Sequence, residues 1–384
     1  MRIPFAIPLL LLLPAAAQHQ PFITHDTRPV ILHGPYLLAP DESSVTVAWI
    51  TDTPSHSKVV YGASGKLDRE AEPQQHGLVP VTTKHAVVIS GLEPGRTYQY
   101  KAVSTRVVRM KSYWPEKGLS VESPPASFST FDRRKDQVAF LAMTDSHADL
   151  ARIDSVLKLA DWSGADFLVH LGDAFDAENE DIIWSRWLQP LTAALGRSRP
   201  LLYTRGNHET RGAAARSLMD YVPVPEGRFY YARTHGPAHF LLPDTGEDKP
   251  DDTNVYAGLN RFGRYREEEY AWLENHVRTE TACARAPFRV LLMHAPDFGW
   301  TAGQEAKWIG LANRAGVDLA ISGHRHRYSL TRPGEGGRDY HQLVIAPNQL
   351  ARVTIRAAEI TVDVATAGTA GRQAFSIPAR GGRR

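Results

Sequence analysis

Residues 138–147 read VAFLAMTDSH, a run of six apolar residues followed by Thr and then by Asp145 and His147. A continuous apolar run of this length is typical of a strand that is buried on both faces of a sheet. In open α/β sheets the carboxyl ends of the strands form the crevice where ligands bind. The two polar side chains therefore stand where chemistry can take place, and the stretch predicts an α/β domain.

Four further segments repeat this arrangement of an apolar run followed by polar side chains. They are Gly172-Asp173, Gly206-Asn207-His208-Glu209, Met293-His294 and Gly323-His324-Arg325-His326. Carboxylate, amide and imidazole groups are suitable ligands for borderline and hard metal ions, and the absence of Cys from all five segments argues against a structural zinc site. The sequence therefore predicts a metal centre built from Asp, Asn and His at one edge of a sheet.

The composition of the whole chain limits its class. With 384 residues, the chain is long enough for two domains. A hydrophobic fraction of 42% supplies sizeable cores, and a net charge of only +2 excludes a strongly basic nucleic-acid binder. We therefore expect no specific nucleic-acid partner.

The amino-terminal residues have the pattern of a secretory leader. Arg2 is followed by an apolar run at 3–13 and then by small residues up to Ala17. The run is too short to span a membrane, and no other apolar stretch reaches that length. Only one cysteine, Cys283, is present, so no intrachain disulfide can form. We expect a periplasmic or secreted protein without a transmembrane anchor, in which residues 1–17 are a signal peptide.

Residues 28–132 have the features of a small all-β sandwich. Alternating apolar residues such as Val45, Val47 and Trp49 occur in short runs that Gly, Pro, Asp and Ser interrupt. Residues 91–98, GLEPGRTY, form a predicted turn that leads into a strand, where the tyrosine can pack inward while its hydroxyl contacts nearby backbone. This region resembles a fibronectin type III-like domain.

A charged linker at 132–136 precedes the α/β domain, for which we expect the bounds 136–368. Strands and helices alternate in this part of the sequence, as they do in α/β folds. Three later strands are expected to complete a second sheet, at 343–345, 353–355 and 360–364. The end of the chain, residues 369–384, is expected to be a disordered tail.

The five polar segments, in this order along the chain, resemble those of the calcineurin-like metallophosphoesterases. The motif resemblance covers roughly residues 140–328, and the order of the two domains is similar to that of the purple acid phosphatases. The resemblance implies an α/β (α+β) catalytic domain, a two-sheet αββα sandwich with helices on its outer faces. The small all-β sandwich precedes it.

The resemblance also implies two metal ions that share one bridging carboxylate, that of Asp173. One ion would be held by Asp145, His147, Asp173 and His326. The second would be held by Asp173, Asn207, His294 and His324. These ligand types suit iron, manganese or zinc. In the implied mechanism, a metal-bound hydroxide attacks the phosphorus atom of a phosphate ester.

Two residues beside these ligands have implied catalytic roles. His208 is similar to the family's non-ligand histidine that protonates the leaving alcohol. Asp176 matches the second Asp of the Gly-Asp-x-x-Asp motif of the Ser/Thr protein phosphatases, where it orients that histidine. The purple acid phosphatases have a Tyr ligand at the position of Asp176 and no His at the position of His147. The difference implies a colourless site, so the sequence does not predict an acid pH optimum.

Other residues near the motifs are candidate substrate contacts. Arg205 and Arg211 flank the third polar segment and can hold a phosphate, although an arginine beside carboxylates is as often part of a structural ion pair. Phe298 and Trp300 follow the fourth segment, where family members build the substrate pocket. Glu209 is expected to support the metal ligands.

These expectations favour an exported phosphatase that hydrolyses phosphomonoesters, because the domain order is similar to that of the acid phosphatases. A phosphodiesterase that acts on nucleotides or lipid headgroups is the alternative within the same class. An adhesion or carbohydrate-binding protein, with the second domain an inactive relic, is the alternative of another class, and the intact ligand set argues against it. The expected partner is a small-molecule phosphate ester, and the sequence leaves any protein partner unidentified.

Overall fold

The computed structural model describes residues 25–299 and 304–380. The predicted signal peptide, residues 1–17, and the candidate substrate contact Trp300 lie outside these ranges. Within the described ranges, the helices are too short or too polar to cross a lipid bilayer.

The N-terminal part of the described chain folds into a β-sandwich. Its strands are β1 (Ile31–Leu38), β2 (Ser44–Ala63), β3 (Arg69–Ala71), β4 (Thr82–Ser90), β5 (Thr97–Arg109), β6 (Glu116–Glu122) and β7 (Ala126–Ser129). The long β2 serves both layers, since its first half pairs with β1 and β4 and its second half with β3 and β5. Val47 and Trp49 are buried between the layers, as their alternation predicts. Tyr98 is buried too, and its hydroxyl accepts a hydrogen bond of 2.9 Å from the backbone N–H of Glu93.

The following part of the chain contributes the strands of two packed sheets. These strands are β8 (Gln137–Met143), β9 (Phe167–His170), β10 (Pro200–Tyr203), β11 (Tyr231–His235), β12 (Ala238–Leu242), β13 (Phe288–Leu292), β14 (Leu319–Ser322), β15 (Ser329–Thr331), β16 (His341–Val344), β17 (Gln349–Arg356), β18 (Glu359–Thr366) and β19 (Arg372–Pro378). The order β19-β18-β17-β8-β9-β10 forms the first sheet, and the order β11-β12-β13-β14-β16-β15 forms the second. The strands that precede the polar segments are parallel neighbours within each sheet.

The helices connect these strands. They are α1 (Leu150–Leu157), α2 (Glu180–Ile183), α3 (Gln189–Leu195), α4 (Phe262–Thr279), α5 (Thr281–Arg285) and α6 (Gln304–Ala315). Helix α1 begins after Asp149, whose side chain accepts a hydrogen bond from the backbone N–H of Arg152 and so satisfies one of the free donors of the first turn. A π-helical segment, Trp184–Leu188, joins α2 to α3. Short 3₁₀ turns occur at His208–Thr210, Ala213–Arg216, Leu218–Asp220, Pro225–Gly227 and Asn254–Tyr256.

The two sheets pack face to face, and helices cover both outer surfaces. Phe140 and Val169 of the first sheet meet Phe240 and Leu292 of the second in the core between them. Helices α1 to α3 cover the first sheet, where Trp187 is fully buried, and α4 and α6 cover the second. This arrangement explains the continuous apolar runs, because the central strands are buried on both faces. The predicted two-sheet αββα fold is confirmed.

Two expectations about the end of the chain are wrong. The segments 353–355 and 360–364 do form strands, but β17 pairs with β8 and places both in the first sheet. Arg372–Pro378, within the tail expected to be disordered, form β19 and pair with β18. An apolar alternation marks a strand without specifying its partner, and a polar edge strand is stabilised by backbone hydrogen bonds that its composition does not reveal.

The β-sandwich and the first sheet are joined by hydrogen bonds between their strands. Strand β1 of the sandwich runs parallel to β10, with Leu37 opposite Pro200 and Leu38 opposite Leu201. Tyr36 and Leu38 of β1 also belong to the apolar core beneath helices α1 to α3. The sandwich therefore packs directly beside the strand that precedes Asn207.

Candidate metal centre

The loops after β8, β9, β10, β13 and β14 bring the predicted ligands together at one edge of the two sheets. The first sheet contributes Asp145, His147, Asp173 and Asn207, and the second contributes His294, His324 and His326. Parallel strands end at the same edge of a sheet, and here the two sheets present those edges to each other. The position of each polar segment directly after a strand is therefore what assembles the cluster.

The first group of ligand atoms comes from Asp145, His147, Asp173 and His326, and these atoms lie within 4.8 Å of one another. The Nε2 atoms of His147 and His326 are 3.1 Å apart. His326 Nε2 is also 3.1 Å from Asp145 Oδ1, a buried oxygen to which no donor is well aligned. Two facing imidazole nitrogens and an unsatisfied carboxylate oxygen are an arrangement that a bound cation satisfies.

The second group is centred on His294. Its Nε2 atom lies 3.1 Å from Asp173 Oδ2 and 3.2 Å from Asn207 Oδ1. His324 Nδ1 is 3.2 Å from the same Nε2 atom. The other ring nitrogen of His294, Nδ1, is 2.7 Å from the carbonyl oxygen of Leu171, to which it donates a hydrogen bond. That bond fixes the ring so that Nε2 faces the other ligands, as metal-binding histidines require.

Asp173 belongs to both groups, so its carboxylate can bridge two ions. Burial on its own would raise the pKa of Asp173, but the charges of His294 and His208 bring it well below the ordinary value. Burial likewise opposes protonation of His294, yet Asp173 raises the pKa of this histidine to about 10. A metal ion that binds here would displace the proton of His294 and take over its attraction to the carboxylate.

Several ligands have a backbone conformation that residues other than glycine rarely adopt. The φ angle is +50° at Asp145, +51° at Asp173 and +67° at His324. Such conformations cost roughly 1–3 kcal/mol each and cluster at functional sites. Gly323, in the last polar segment, lies so close to Thr144 that no side chain fits there. A Cβ atom on Gly323 would lie 2.0 Å from Thr144 Oγ1.

His208 stands beside both groups, and Asp176 holds it. His208 Nδ1 lies 2.7 Å from Asp176 Oδ1, so the expected pairing is present. The backbone N–H of His208 donates to Asp173 Oδ1 at 3.0 Å, and its Nε2 atom is 3.8 Å from Asp173 Oδ2. The imidazole is therefore directed toward the candidate metal centre while its far side is bound to a carboxylate.

Glu209 is fully buried and ties the second and third polar segments together. Its Oε2 atom accepts hydrogen bonds from the backbone N–H groups of Asp173 at 3.0 Å and Gly206 at 3.1 Å. Its Oε1 atom accepts from the backbone N–H of Ala174 at 2.8 Å and from the hydroxyl of Tyr203 at 3.0 Å. Glu209 therefore fixes the loops that carry Asp173 and Asn207, without a ligand atom of its own in either group.

The two arginines that were candidate phosphate contacts are engaged in ion pairs. Arg205 pairs with the buried Asp244 and lies over the ring of Phe229, 4.3 Å from its centre. Arg211 pairs with Glu247, which is also buried. These contacts agree with the structural alternative considered from the sequence, because each guanidinium neutralises a buried carboxylate.

Phe298, which was expected to contact the substrate, lies in the apolar core against α6. Phe298 is only 3% exposed and stacks on Trp308 of α6, with the ring centres 5.5 Å apart. The position of Phe298 after His294 suggested a pocket wall, but a helix that follows later in the chain covers it. Trp300 lies outside the described residues.

Some side chains that support the ligand loops have no clear signature in the sequence. Thr144 donates a hydrogen bond of 2.8 Å to Asp145 Oδ2. Arg152 of α1 donates to the carbonyl oxygen of Asp145 at 3.3 Å. Ser146 Oγ lies 3.1 Å from Nε2 of the buried His170 and donates to the carbonyl oxygen of Ala174 at 3.2 Å, so it links the first two polar segments. Their closeness to a motif along the chain is the one signal that the sequence offers.

Comparison with known families agrees with this geometry. Residues 138–328 match the calcineurin-like phosphoesterase family, and residues 35–130 match the N-terminal domain of the purple acid phosphatases. The chain therefore contains a calcineurin-like phosphoesterase domain. It has the domain order of the purple acid phosphatases. The Asp, Asn and His ligand set fits two ions of iron, manganese or zinc, as expected for such a protein.

Two relatives that are similar in sequence are named as acid phosphatases. Purple acid phosphatase 18 of Arabidopsis thaliana is 25% identical over 324 residues, a match that covers 77% of this chain and 65% of the relative. Acid phosphatase type 7 of Homo sapiens is 24% identical over 339 residues, covering 76% of this chain and 69% of the relative. A purple acid phosphatase from yellow lupin (Lupinus luteus) seeds has the same fold, with a TM-score of 0.68, 15% identity and coverage of 91% of this chain and 74% of that one. The chain thus spans about two thirds of the length of the proteins it matches in sequence.

Proposed function

We propose that this protein is a phosphatase that hydrolyses phosphomonoesters at a centre of two metal ions. The observation that carries the proposal is the carboxylate of Asp173, which belongs to two adjacent groups of ligand atoms. A pair of ions about 3.5 to 4 Å apart is a recurrent device for displacement at phosphorus. The choice of monoesters is supported by the N-terminal domain and by relatives that are named as acid phosphatases.

The proposed ligands are those expected from the family resemblance. One ion is held by Asp145, His147, Asp173 and His326. The other is held by Asp173, Asn207, His294 and His324. When bound, the two ions would supply a hydroxide nucleophile near neutral pH and withdraw negative charge from the phosphate oxygens.

The chain's own residues supply the proton for the leaving group. In the proposal His208 is protonated on both ring nitrogens, and its Nε2–H gives a proton to the departing alcohol oxygen. The hydrogen bond from Nδ1 to Asp176 stabilises the imidazolium and keeps Nε2 directed at the centre. Glu209 holds the Asp173 and Asn207 loops at a fixed separation throughout.

We also propose that the protein is exported, with residues 1–17 removed. The support is the order of one basic residue, an apolar run and small residues before Gln18. The proposed units are a fibronectin type III-like sandwich at 28–132 and a catalytic domain that begins at 136 and, unlike the expected end at 368, includes β19 up to Pro378. Mass spectrometry of the protein recovered outside the cytoplasm tests export, and retention of Met1 would contradict it.

The enzymatic proposal is tested by comparing p-nitrophenyl phosphate with bis(p-nitrophenyl) phosphate as substrates, after loading with iron, manganese or zinc. We expect the monoester to be hydrolysed with the higher kcat/KM. We expect Asp173→Asn to lose at least about a thousandfold in kcat, because the bridging anion is removed. Asp154→Asn, an exposed carboxylate of α1, is the matched control and should leave kcat unchanged.

Each outcome of this assay separates the alternatives. Exclusive turnover of the bis ester would replace the phosphomonoesterase with the phosphodiesterase. Unchanged activity in Asp173→Asn would show that hydrolysis does not use a bridged pair of ions. Absence of bound metal and of any turnover would leave the relic domain of a binding protein as the better description.

A further inference from the structure

The hairpin between β5 and β6 projects from the β-sandwich. Strand β5 pairs with β2 as far as Arg106, but it continues beside β6 to Arg109. Three further residues of β5, about 10 Å of strand, thus continue without β2 as a partner. Residues 110–115, MKSYWP, then close the hairpin. We call residues 106–117 the hairpin tip.

The hairpin tip exposes large apolar side chains. Met110 is 63% exposed, Tyr113 82% and Trp114 71%. Among the residues that the structure describes, no other Phe, Tyr or Trp side chain is exposed, since the remaining rings are buried or half-buried. Aromatic side chains concentrated at the end of a projecting hairpin are typical of a contact surface.

The same segment is strongly cationic. It contains Arg106, Arg109, Lys111 and Lys117 against the single carboxylate of Glu116, a net charge of +3 in a chain whose total is +2. Lys111 forms an ion pair with Glu116. Within the described ranges, neither Arg106 nor Arg109 is paired with a carboxylate. A partner for this surface must therefore be anionic and must accept aromatic side chains.

The start of the described chain lies beside the hairpin tip. The backbone N–H of His25 donates to the carbonyl oxygen of Lys117 at 3.3 Å, and His25 Nε2 is 3.0 Å from Glu116 Oε2. The apolar run at 3–13 ends only about a dozen residues before His25. The hairpin tip is therefore at the end of the sandwich from which the described chain starts, and in the proposed export this is the end that follows the leader.

We propose that the hairpin tip binds the surface of an anionic lipid bilayer. Tyr113 and Trp114 lie at the level of the headgroups, where amphipathic aromatic rings are favoured. The guanidinium groups of Arg106 and Arg109 contact lipid phosphates. A single hairpin of this kind gives reversible attachment to the surface and does not span the bilayer. The attachment is independent of the reaction at the metal centre.

The test is co-sedimentation of the protein, produced from Gln18 onward so that the leader cannot bind lipid, with large unilamellar vesicles. Vesicles of phosphatidylcholine alone are compared with vesicles that also contain phosphatidylglycerol. We expect binding to the anionic vesicles that weakens as salt is raised. The pair Arg106→Gln and Arg109→Gln should weaken it on the order of twentyfold, since each cation contributes about a factor of five. Tyr113→Ser with Trp114→Ser should weaken it by roughly tenfold or more.

A control variant elsewhere on the surface and measurements of stability and activity accompany the vesicle test. Val255→Ser with Leu259→Ser removes two apolar side chains that are 73% and 69% exposed elsewhere on the molecule, and it should leave vesicle binding unchanged. Thermal unfolding and turnover of p-nitrophenyl phosphate should be the same in both hairpin variants, because the tip contacts no metal ligand. Equal binding to neutral and anionic vesicles, or full binding by the Tyr113 and Trp114 variant, would overturn the proposal. So would a dimer in solution that the aromatic substitutions dissociate, or retention on an insoluble polysaccharide in place of vesicles.

Discussion

Replacement of Glu209 by Gln tests whether a residue that binds no metal determines the geometry of the centre. Burial, followed by the charge of Asp173, raises the pKa of Glu209 to about 7. The test is made at pH 8, above this pKa, where the wild-type side chain is a carboxylate. Each of its two oxygens accepts two hydrogen bonds. Glutamine has the same shape but turns one of the two acceptor atoms into an NH₂ donor.

The loss in free energy of unfolding depends on which carboxylate oxygen of Glu209 the NH₂ group replaces. If the NH₂ group takes the place of Oε2, it faces the backbone N–H groups of both Asp173 and Gly206. If it takes the place of Oε1, it faces Ala174 and the hydroxyl of Tyr203, and that hydroxyl can rotate to accept. The second orientation leaves one buried N–H without an acceptor, which costs about 1–3 kcal/mol in the free energy of unfolding. Displaced loops should lower metal affinity by about 10- to 100-fold.

Urea unfolding at pH 8 measures the first quantity, and competition with a chelator of known affinity measures the second. Glu274→Gln, an exposed position on α4 whose ion pair with Arg314 contributes little, is the matched control. A Glu209→Gln protein with unfolding free energy within about 0.5 kcal/mol of wild type would refute the stability argument. Wild-type metal affinity in the same protein would show that the two loops are held by the ions alone.

Other predictions concern the proton donor, the colour of the site and its acid stability. We expect His208→Asn and Asp176→Asn to reduce kcat far more for an alkyl phosphate than for p-nitrophenyl phosphate, because a good leaving group needs no proton; equal losses on both substrates would contradict the role. We expect the iron-loaded protein to lack a tyrosinate charge-transfer band in visible absorption, since Asp176 binds His208 where purple acid phosphatases have their Tyr ligand. His85 is buried against Thr51, and burial lowers its pKa from 6.5 to about 4. Its contribution to stability is therefore present above pH 6.5 and is lost as pH falls toward 4, which amounts to about 3 kcal/mol. The difference in urea-unfolding free energy between pH 7 and pH 4 should shrink by about that much in His85→Gln, and an unchanged difference would show that another group is responsible.

The sequence was sufficient for the elements that depend on local pattern. The apolar run before Asp145 predicts a strand that is buried on both faces, and the structure has β8 at the centre of the first sheet. The polar segments were placed together because strand ends share an edge, a rule that needs no knowledge of loop conformation. The inward packing of Tyr98, with its hydroxyl bonded to nearby backbone, followed in the same way from a turn and a strand that are adjacent in the chain.

Features that depend on distant parts of the chain were not predictable. Phe298 is removed from the surface by Trp308, and Arg205 is neutralised by Asp244, a residue 39 positions away. Strand β17 pairs with β8 across more than two hundred residues of sequence. In each case the local sequence fits both the predicted and the observed contact, and packing elsewhere in the molecule decides between them.

The contacts between the β-sandwich and the first sheet support one side of the candidate metal centre. Strand β1 completes the hydrogen bonds of β10, and without it the backbone edge of β10 would be left unpaired. The hydroxyl of Tyr100 donates to the carbonyl oxygen of Arg197, just before β10, and His33 stacks on Trp184, with ring centres 3.8 Å apart. Because β10 ends in the loop that carries Asn207, the sandwich fixes one side of the metal centre through backbone pairing. A binding module tethered by a linker would need none of these contacts, so the sandwich is better understood as part of the catalytic unit.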